Sequence, residues 1–181
     1  MRKNIELTNA AVNSIQAEQV VCMPTDTVYG LVVSAKSPAA VKKLYETKGR
    51  IGKPGTIIAA SVEQLIELGF SERDLNLASK YWPGPVSIVL PAPKSLEYLH
   101  MGLNSLAVRI PNKEELQELL KRTGPLATTS ANRPGEPTIE KIEDAESIFG
   151  NVVDIYIDGG DISSVPSEIF KLQNKSFTKI R

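Results

Sequence analysis

Four short segments of the 181-residue sequence gather side chains that could do chemistry. The first, Pro24-Thr25-Asp26-Thr27-Val28-Tyr29-Gly30-Leu31, sets two hydroxyls and a carboxylate between apolar runs. Taken alone it reads as a turn, because Thr and Asp close turns by bonding local backbone groups. The second, Lys48-Gly49-Arg50-Ile51-Gly52-Lys53-Pro54-Gly55, spaces three cations with glycines just past an expected helix C-terminus. Cations there complement the helix dipole. They would equally make a phosphate cradle, with glycine amides approaching closely, Lys as a point charge and Arg as a planar fork. It is not a Walker loop: two residues, instead of four, separate Gly49 from Gly52-Lys53, and Pro54 replaces the metal-binding hydroxyl. The third, Thr128-Thr129-Ser130-Ala131-Asn132-Arg133-Pro134-Gly135, runs from an expected strand into a loop rich in donors. It precedes a helix expected to open at Thr138, whose first free amides would suit an anion. The fourth, Trp82-Pro83-Gly84-Pro85, predicts a sharp rigid turn with Trp82 in the core.

Composition removes several chemistries. Cys22 is the only cysteine and His100 the only histidine, which excludes an intrachain disulfide, Cys-cluster and multi-histidine metal sites, and, unless His100 serves in one, the histidine triads. His100 and Met101 read as structural or surface residues. No run of about 18 apolar residues and no signal-like N-terminus occurs, so the expectation is a soluble cytoplasmic protein without membrane association. Net charge is zero, with 21 basic and 21 acidic residues, which argues against holding nucleic acid by bulk electrostatics. The charge is segregated, however. Residues 36–53 carry Lys36, Lys42, Lys43, Lys48, Arg50 and Lys53 against Glu46 alone, residues 136–161 are acidic except for Lys141, and the C-terminal stretch is basic again. That pattern fits either one local anion site or solvated helix faces.

The elements that must position these segments alternate. Helices are expected over Thr8 to Gln19, from an N-cap at Ser37 to Gly49, from Ser61 (capping box with Gln64) to Leu68, from Ser71 to Trp82, from Asn112 (paired with Glu115) to Gly124, and from Thr138 to Phe149. Strands are expected over Val20 to Met23, Val28 to Ser34, Thr56 to Ala60, Val86 to Leu90, Leu106 to Ile110, Leu126 to Thr129, Val152 to Ile157, Glu168 to Leu172 and Phe177 to Ile180. With 41% hydrophobic and 23% charged residues and no repeat or linker, this predicts one α/β domain over residues 1–181, built on a mixed sheet flanked by helices. Most of the polar segments then fall at strand ends, where open α/β sheets bind ligands.

In this order, Pro-Thr-Asp-Thr-Val-Tyr-Gly-Leu at 24–31, Lys-x-Arg at 48–50, Trp-Pro-Gly-Pro at 82–85, Ser-Leu-Ala-Val-Arg at 105–109, Ser-Ala-Asn at 130–132 and Pro-Ser at 166–167 make the chain resemble the YrdC/TsaC family of threonylcarbamoyl-AMP synthases over nearly its whole length. The resemblance implies an open twisted sheet with a concave basic cavity. It also implies a reaction joining L-threonine, bicarbonate and ATP, with Mg2+ carried on the ATP phosphates, to give threonylcarbamoyl-AMP and pyrophosphate for tRNA t6A modification. By the same resemblance Lys48, Arg50, Ser130 and Asn132 surround the nucleotide and its phosphates. Lys53 is expected to supply a charge that the family's asparagine does not. Ser105, Thr138 and Arg181 match positions that contact ATP, and Thr27, Arg109, Thr128 and Ser167 match positions that hold threonine. A downstream TsaD/TsaB/TsaE-like transferase complex is the implied partner, with tRNA binding weak. The chain departs from the family pattern in having Pro54-Gly55-Thr56 in place of Asn-Pro-Leu and Ala59 where some members carry a histidine.

The chemistry needs no protein nucleophile, because a threonine carbamate can itself attack the α-phosphorus while the protein positions reactants and offsets charge. Three rival readings remain. A non-catalytic RNA-binding module lacks aromatic stacking signatures, a hydrogenase-maturation carbamoyltransferase lacks its accompanying segments, and a Ser130 hydrolase lacks the Gly-x-Ser-x-Gly elbow.

Overall fold

The computed structural model describes residues 2–49 and 52–181. Its helices are α1 (Arg2–Gln16), α2 (Pro38–Lys48), α3 (Val62–Glu67), α4 (Glu72–Ala78), α5 (Glu97–His100), α6 (Glu114–Thr123) and α7 (Ile142–Phe149). Its strands are β1 (Val21–Pro24), β2 (Tyr29–Ser34), β3 (Thr56–Ile58), β4 (Val86–Pro91), β5 (Ser105–Arg109), β6 (Leu126–Ser130), β7 (Ile155–Tyr156), β8 (Glu168–Gln173) and β9 (Ser176–Lys179). Among the described residues they form one nine-stranded sheet in the order β7-β1-β2-β6-β3-β5-β4-β8-β9. The sheet is mixed: β1/β2, β2/β6, β3/β6, β4/β5 and β8/β9 are antiparallel. The pairs β1/β7, β3/β5 and β4/β8 are parallel.

Period-two pleating sends alternate side chains to opposite faces, and an apolar layer packs on each, while Thr56, Val89, Ser105, Ala107 and Ile169 stay half-buried and line an open cavity. Val21, Met23, Val32, Ile58 and Leu126 pack under Ala11, Val12 and Ile15 of α1 and Leu116, Leu119 and Leu120 of α6. Their strand neighbours Cys22, Leu31, Val33, Ile57 and Ala127 pack on the other side with Ala40, Val41, Leu44 and Tyr45 of α2 and Leu99 of α5. Local signals set the ends of α2. The Ser37 side chain accepts from Ala40 N, Pro38 takes the first turn, and Gly49 closes the helix at φ 62.

Several expected ends move. α1 begins at Arg2 rather than Thr8, ahead of where its apolar period starts. α7 begins at Ile142, not Thr138, because its register is fixed by burying Ile142, Ala145 and Phe149, which leaves Thr138 in the preceding loop. Lys113, not Asn112, precedes α6, and neither it nor Ser61 makes a side-chain cap. At α3 the Gln64 side chain instead accepts from Ala60 N at 2.9 Å. A 3-10 turn (Lys94–Leu96) and α5 occupy a stretch for which apolar spacing gives no element. Trp82 is half-buried against the core as expected, with Nε1 donating to Val86 O at 2.8 Å.

Candidate active site

Thr25 holds the turn between β1 and β2. Its Oγ1 donates to Val28 O (2.6 Å) and accepts from the amides of Thr27 (3.2 Å) and Val28 (3.3 Å). Thr25 closes the turn, and the closed turn presents Thr27 to a cavity of about 690 Å³. That volume lies within the usual range of roughly 300–1,000 Å³ for small-molecule sites. On the far side, Tyr29 Oη donates to Gly160 O at 2.8 Å and accepts from Gly159 N at 2.9 Å. Ser164 Oγ donates to Thr27 O, so the segment leading to Ser167 is tied to the same turn.

The sheet brings Arg109, the last residue of β5, and Thr128 of β6 to the same cavity wall as Thr27 and Ser167. Thr128 is inserted between two glycines: a Cβ on Gly30 would lie 2.9 Å from Thr128 Oγ1, and one on Gly55 would lie 2.6 Å from Thr128 O. Arg109 is 4% exposed. Its Nη2 donates to Asp26 Oδ1 at 2.8 Å and its Nη1 to Ser87 Oγ at 3.3 Å. Ser87 Oγ in turn lies 3.0 Å from Ser167 Oγ. Arg181 donates to Ser167 O through Nη2 (3.0 Å) and Nε (3.2 Å). Burial pulls the Arg109 guanidinium below its usual range, and the charge and hydrogen bond of the adjacent Asp26 oppose that shift only in part.

A second cluster forms where α2 ends. Lys48 is 5% exposed, and its Nζ donates to Ser130 O (2.7 Å), Asn132 Oδ1 (2.7 Å) and Asn132 O. Ser130 Oγ donates to Asn132 Oδ1 at 2.7 Å, and Asn132 Nδ2 donates to Glu136 O at 2.5 Å. Lys48 thus braces the Ser-Ala-Asn loop, while Ser130 and Asn132 themselves line the cavity.

Ser105, Thr138 and Arg181 also line it, so nine of the expected residues (Thr27, Ser105, Arg109, Thr128, Ser130, Asn132, Thr138, Ser167 and Arg181) share one wall system. Thr138 does so from a loop and not from a helix N-terminus. Lys53 is exposed and does not line the cavity. Arg50 lies outside the described residues. The charged lining residues are Arg109, Arg181 and Glu136, with Arg109 paired to Asp26. Much of the basic 36–53 charge sits instead on the solvated face of α2 and beside it, where Lys42 meets Glu46 at 3.8 Å and Lys36 meets Glu67 at 3.6 Å. Two contributors had no assigned role in the sequence reading. Asp26 stands inside a quoted motif, and Ser87, just after Trp-Pro-Gly-Pro, carries no local signal at all.

A mixed sheet whose strands and adjoining loops line one cavity, with hydroxyl, amide and guanidinium groups set among apolar residues, fits a small-molecule-binding α/β protein. The chain belongs to the Sua5/YciO/YrdC family, whose model, described as "Telomere recombination", matches residues 13–181. It is 37% identical over 153 residues to the threonylcarbamoyl-AMP synthase of Bacillus subtilis, covering 81% of this chain and 44% of that one. It is 33% identical over 176 residues to the threonylcarbamoyl-AMP synthase of Vibrio campbellii, covering 92% of this chain and 93% of that one. Pyrococcus abyssi Sua5 complexed with L-threonine superposes with a TM-score of 0.86 at 33% identity, covering 98% of this chain and 54% of that one. The chain therefore spans about half the length of the Bacillus and Pyrococcus relatives and nearly all of the Vibrio one.

Proposed function

We propose that the chain is a threonylcarbamoyl-AMP synthase, a nucleotidyltransferase that takes L-threonine, bicarbonate and ATP to threonylcarbamoyl-AMP and pyrophosphate for tRNA t6A modification. The observation that carries this reading is the convergence of two residue sets on one cavity: Thr27, Arg109, Thr128 and Ser167, expected for threonine, and Ser105, Ser130, Asn132, Thr138 and Arg181, expected for ATP. The names of relatives in the same family point the same way, and so does the threonine complex of the Pyrococcus relative.

The threonine amine and carbon dioxide form an N–C bond with loss of a proton, giving a carbamate. A carbamate oxygen then forms a bond to the α-phosphorus of ATP, and the bond from that phosphorus to the bridging oxygen breaks to release pyrophosphate. Arg109 suits the amino-acid carboxylate, because a guanidinium fork matches a planar carboxylate. Ser130, Asn132 and Arg181 offer hydrogen-bond donors to phosphate oxygens, with Lys48 bracing the loop that carries the first two. Such positioning and charge compensation are what a phosphoryl-type transfer asks of a protein. ATP enters as its Mg2+ complex. The ion is carried on the ATP phosphates, as Mg2+ commonly is in such reactions. The product would pass to a TsaD/TsaB/TsaE-like transferase complex.

Pyrophosphate release from MgATP, measured with and without L-threonine and bicarbonate, tests the reading. Release that requires both co-substrates is expected, and release indifferent to threonine would contradict it.

A further inference from the structure

Among the described residues Arg109 is the one buried cation on the cavity wall, and most of what holds it is out of reach of a ligand. Asp26 and Ser87 do not line the cavity, whereas Arg109 does. The Asp26 and Arg109 side chains are each 5% exposed, and Ser87 is fully buried. The contact between the two charges is single-pronged: Asp26 Oδ1 takes one Nη2 proton, while Asp26 Oδ2 and Arg109 Nε are both buried without a hydrogen-bond partner. A bidentate pair would satisfy both charges fully and consume one edge of the guanidinium. The observed arrangement compensates the charge, fixes one corner of the fork through Asp26 and another through Ser87, and leaves Nε unspent.

Building on the synthase reading, we infer that Asp26 is a positioning residue for substrate binding: its grip on Arg109 sets where the guanidinium presents its remaining N–H groups to the threonine carboxylate. Asp26 touches no reacting atom. It acts through Arg109, and Ser87 links that arginine to Ser167, a second cavity residue.

Removing the carboxylate outright would leave a buried cation uncompensated, a change that commonly destabilises a fold. The informative variant is therefore Asp26→Glu, which keeps the charge and displaces the anchor by one methylene. Two readouts decide. In steady-state turnover, Asp26→Glu is expected to raise the threonine KM by about tenfold or more while the ATP KM stays within about twofold, the pattern of a lost carboxylate-orienting contact. A merely structural role would shift both KM values together or neither. Independently of turnover, the Nε–Hε signal of Arg109 in 15N-arginine-labelled protein, assigned by its loss in Arg109→Lys, is expected to shift between wild type and Asp26→Glu. On titrating L-threonine it is expected to respond in wild type and much less in the variant. An unmoved Arg109 signal, or an unchanged threonine KM in folded Asp26→Glu, would overturn the inference. Wild-type protein that shows no threonine-dependent turnover would count against the synthase reading, and the Arg109 signal in the Asp26→Glu protein would still decide the role of Asp26.

Discussion

Lys48 lies at the end of a helix, where a lysine normally points to water, yet here it is 5% exposed and reaches the acceptors of Ser130 and Asn132. Its loss would leave those acceptors unsatisfied and free the loop that carries two cavity donors. Lys48→Ala is expected to lower kcat/KM by at least about tenfold, some 1.4 kcal/mol of transition-state stabilisation, in protein that remains folded. Near-normal turnover in the purified variant would remove Lys48 from the site. At this scale the sequence was informative through its motifs for Thr27, Arg109, Thr128, Ser130, Asn132 and Ser167, which all reach the cavity, but not for Lys48 and Lys53, which do not line it. It was silent on who holds whom. Asp26 and Arg109 stand 83 residues apart, and spacing alone pairs no such partners. The brace from Lys48 to the Ser-Ala-Asn loop spans 82 and 84 residues and is equally invisible to local reading.

Gly55 marks where an element, rather than a residue, shapes the site. It enters β3, whose Thr56 pairs with Thr128 of β6, and the space above it belongs to the Thr128 carbonyl. A methyl group at 2.6 Å from a backbone oxygen has no flexible neighbour to displace, so the two strands must separate. Gly55→Ala is expected to destabilise the fold by about 1–3 kcal/mol in urea titrations and to weaken L-threonine binding, because Thr128 moves with its strand. Unaltered stability and affinity together would contradict the close approach. Elements with strong local signals were legible. α2 starts and stops where Ser37, Pro38 and Gly49 dictate. α7 was misplaced at its start because Thr138 satisfies the N-cap rule while the burial of Ile142, Ala145 and Phe149 sets the register. Tertiary packing overrode the cap.

For the molecule as a whole, two apolar layers meet on one sheet, and Cys22 is buried in the layer facing α2. Burial, with a smaller contribution from Glu146, pushes its thiol from an ordinary 9.0 up to about 12. A folded-state value above the unfolded one stabilises the protein below the unfolded value, and that contribution is lost as pH rises from 9 toward 12. Wild type is therefore expected to lose about 1 kcal/mol of unfolding free energy between pH 8 and pH 10 beyond any loss in Cys22→Ala. Parallel pH profiles for the two proteins would contradict the burial. Burial also raises Tyr29, Tyr98 and Tyr156 in both proteins, and the smaller upward push that the Cys22 charge gives Tyr29 and Tyr156 is lost in Cys22→Ala, which works in the same direction as the expected difference. That a mixed sheet forms at all was legible from alternating strand and helix patterns. The strand order was not, because β6 enters between β2 and β3 by pairings that period-two patterning cannot distinguish from others. No described helix is long and apolar enough to cross a membrane. In the proposed reaction one cavity unites threonine, the bicarbonate carbon and AMP. The most direct test of that claim is the mass of the product formed from L-threonine, 13C-bicarbonate and MgATP: one species holding threonine, a single 13C and AMP is predicted, and AMP or pyrophosphate formed without that labelled adduct would contradict it.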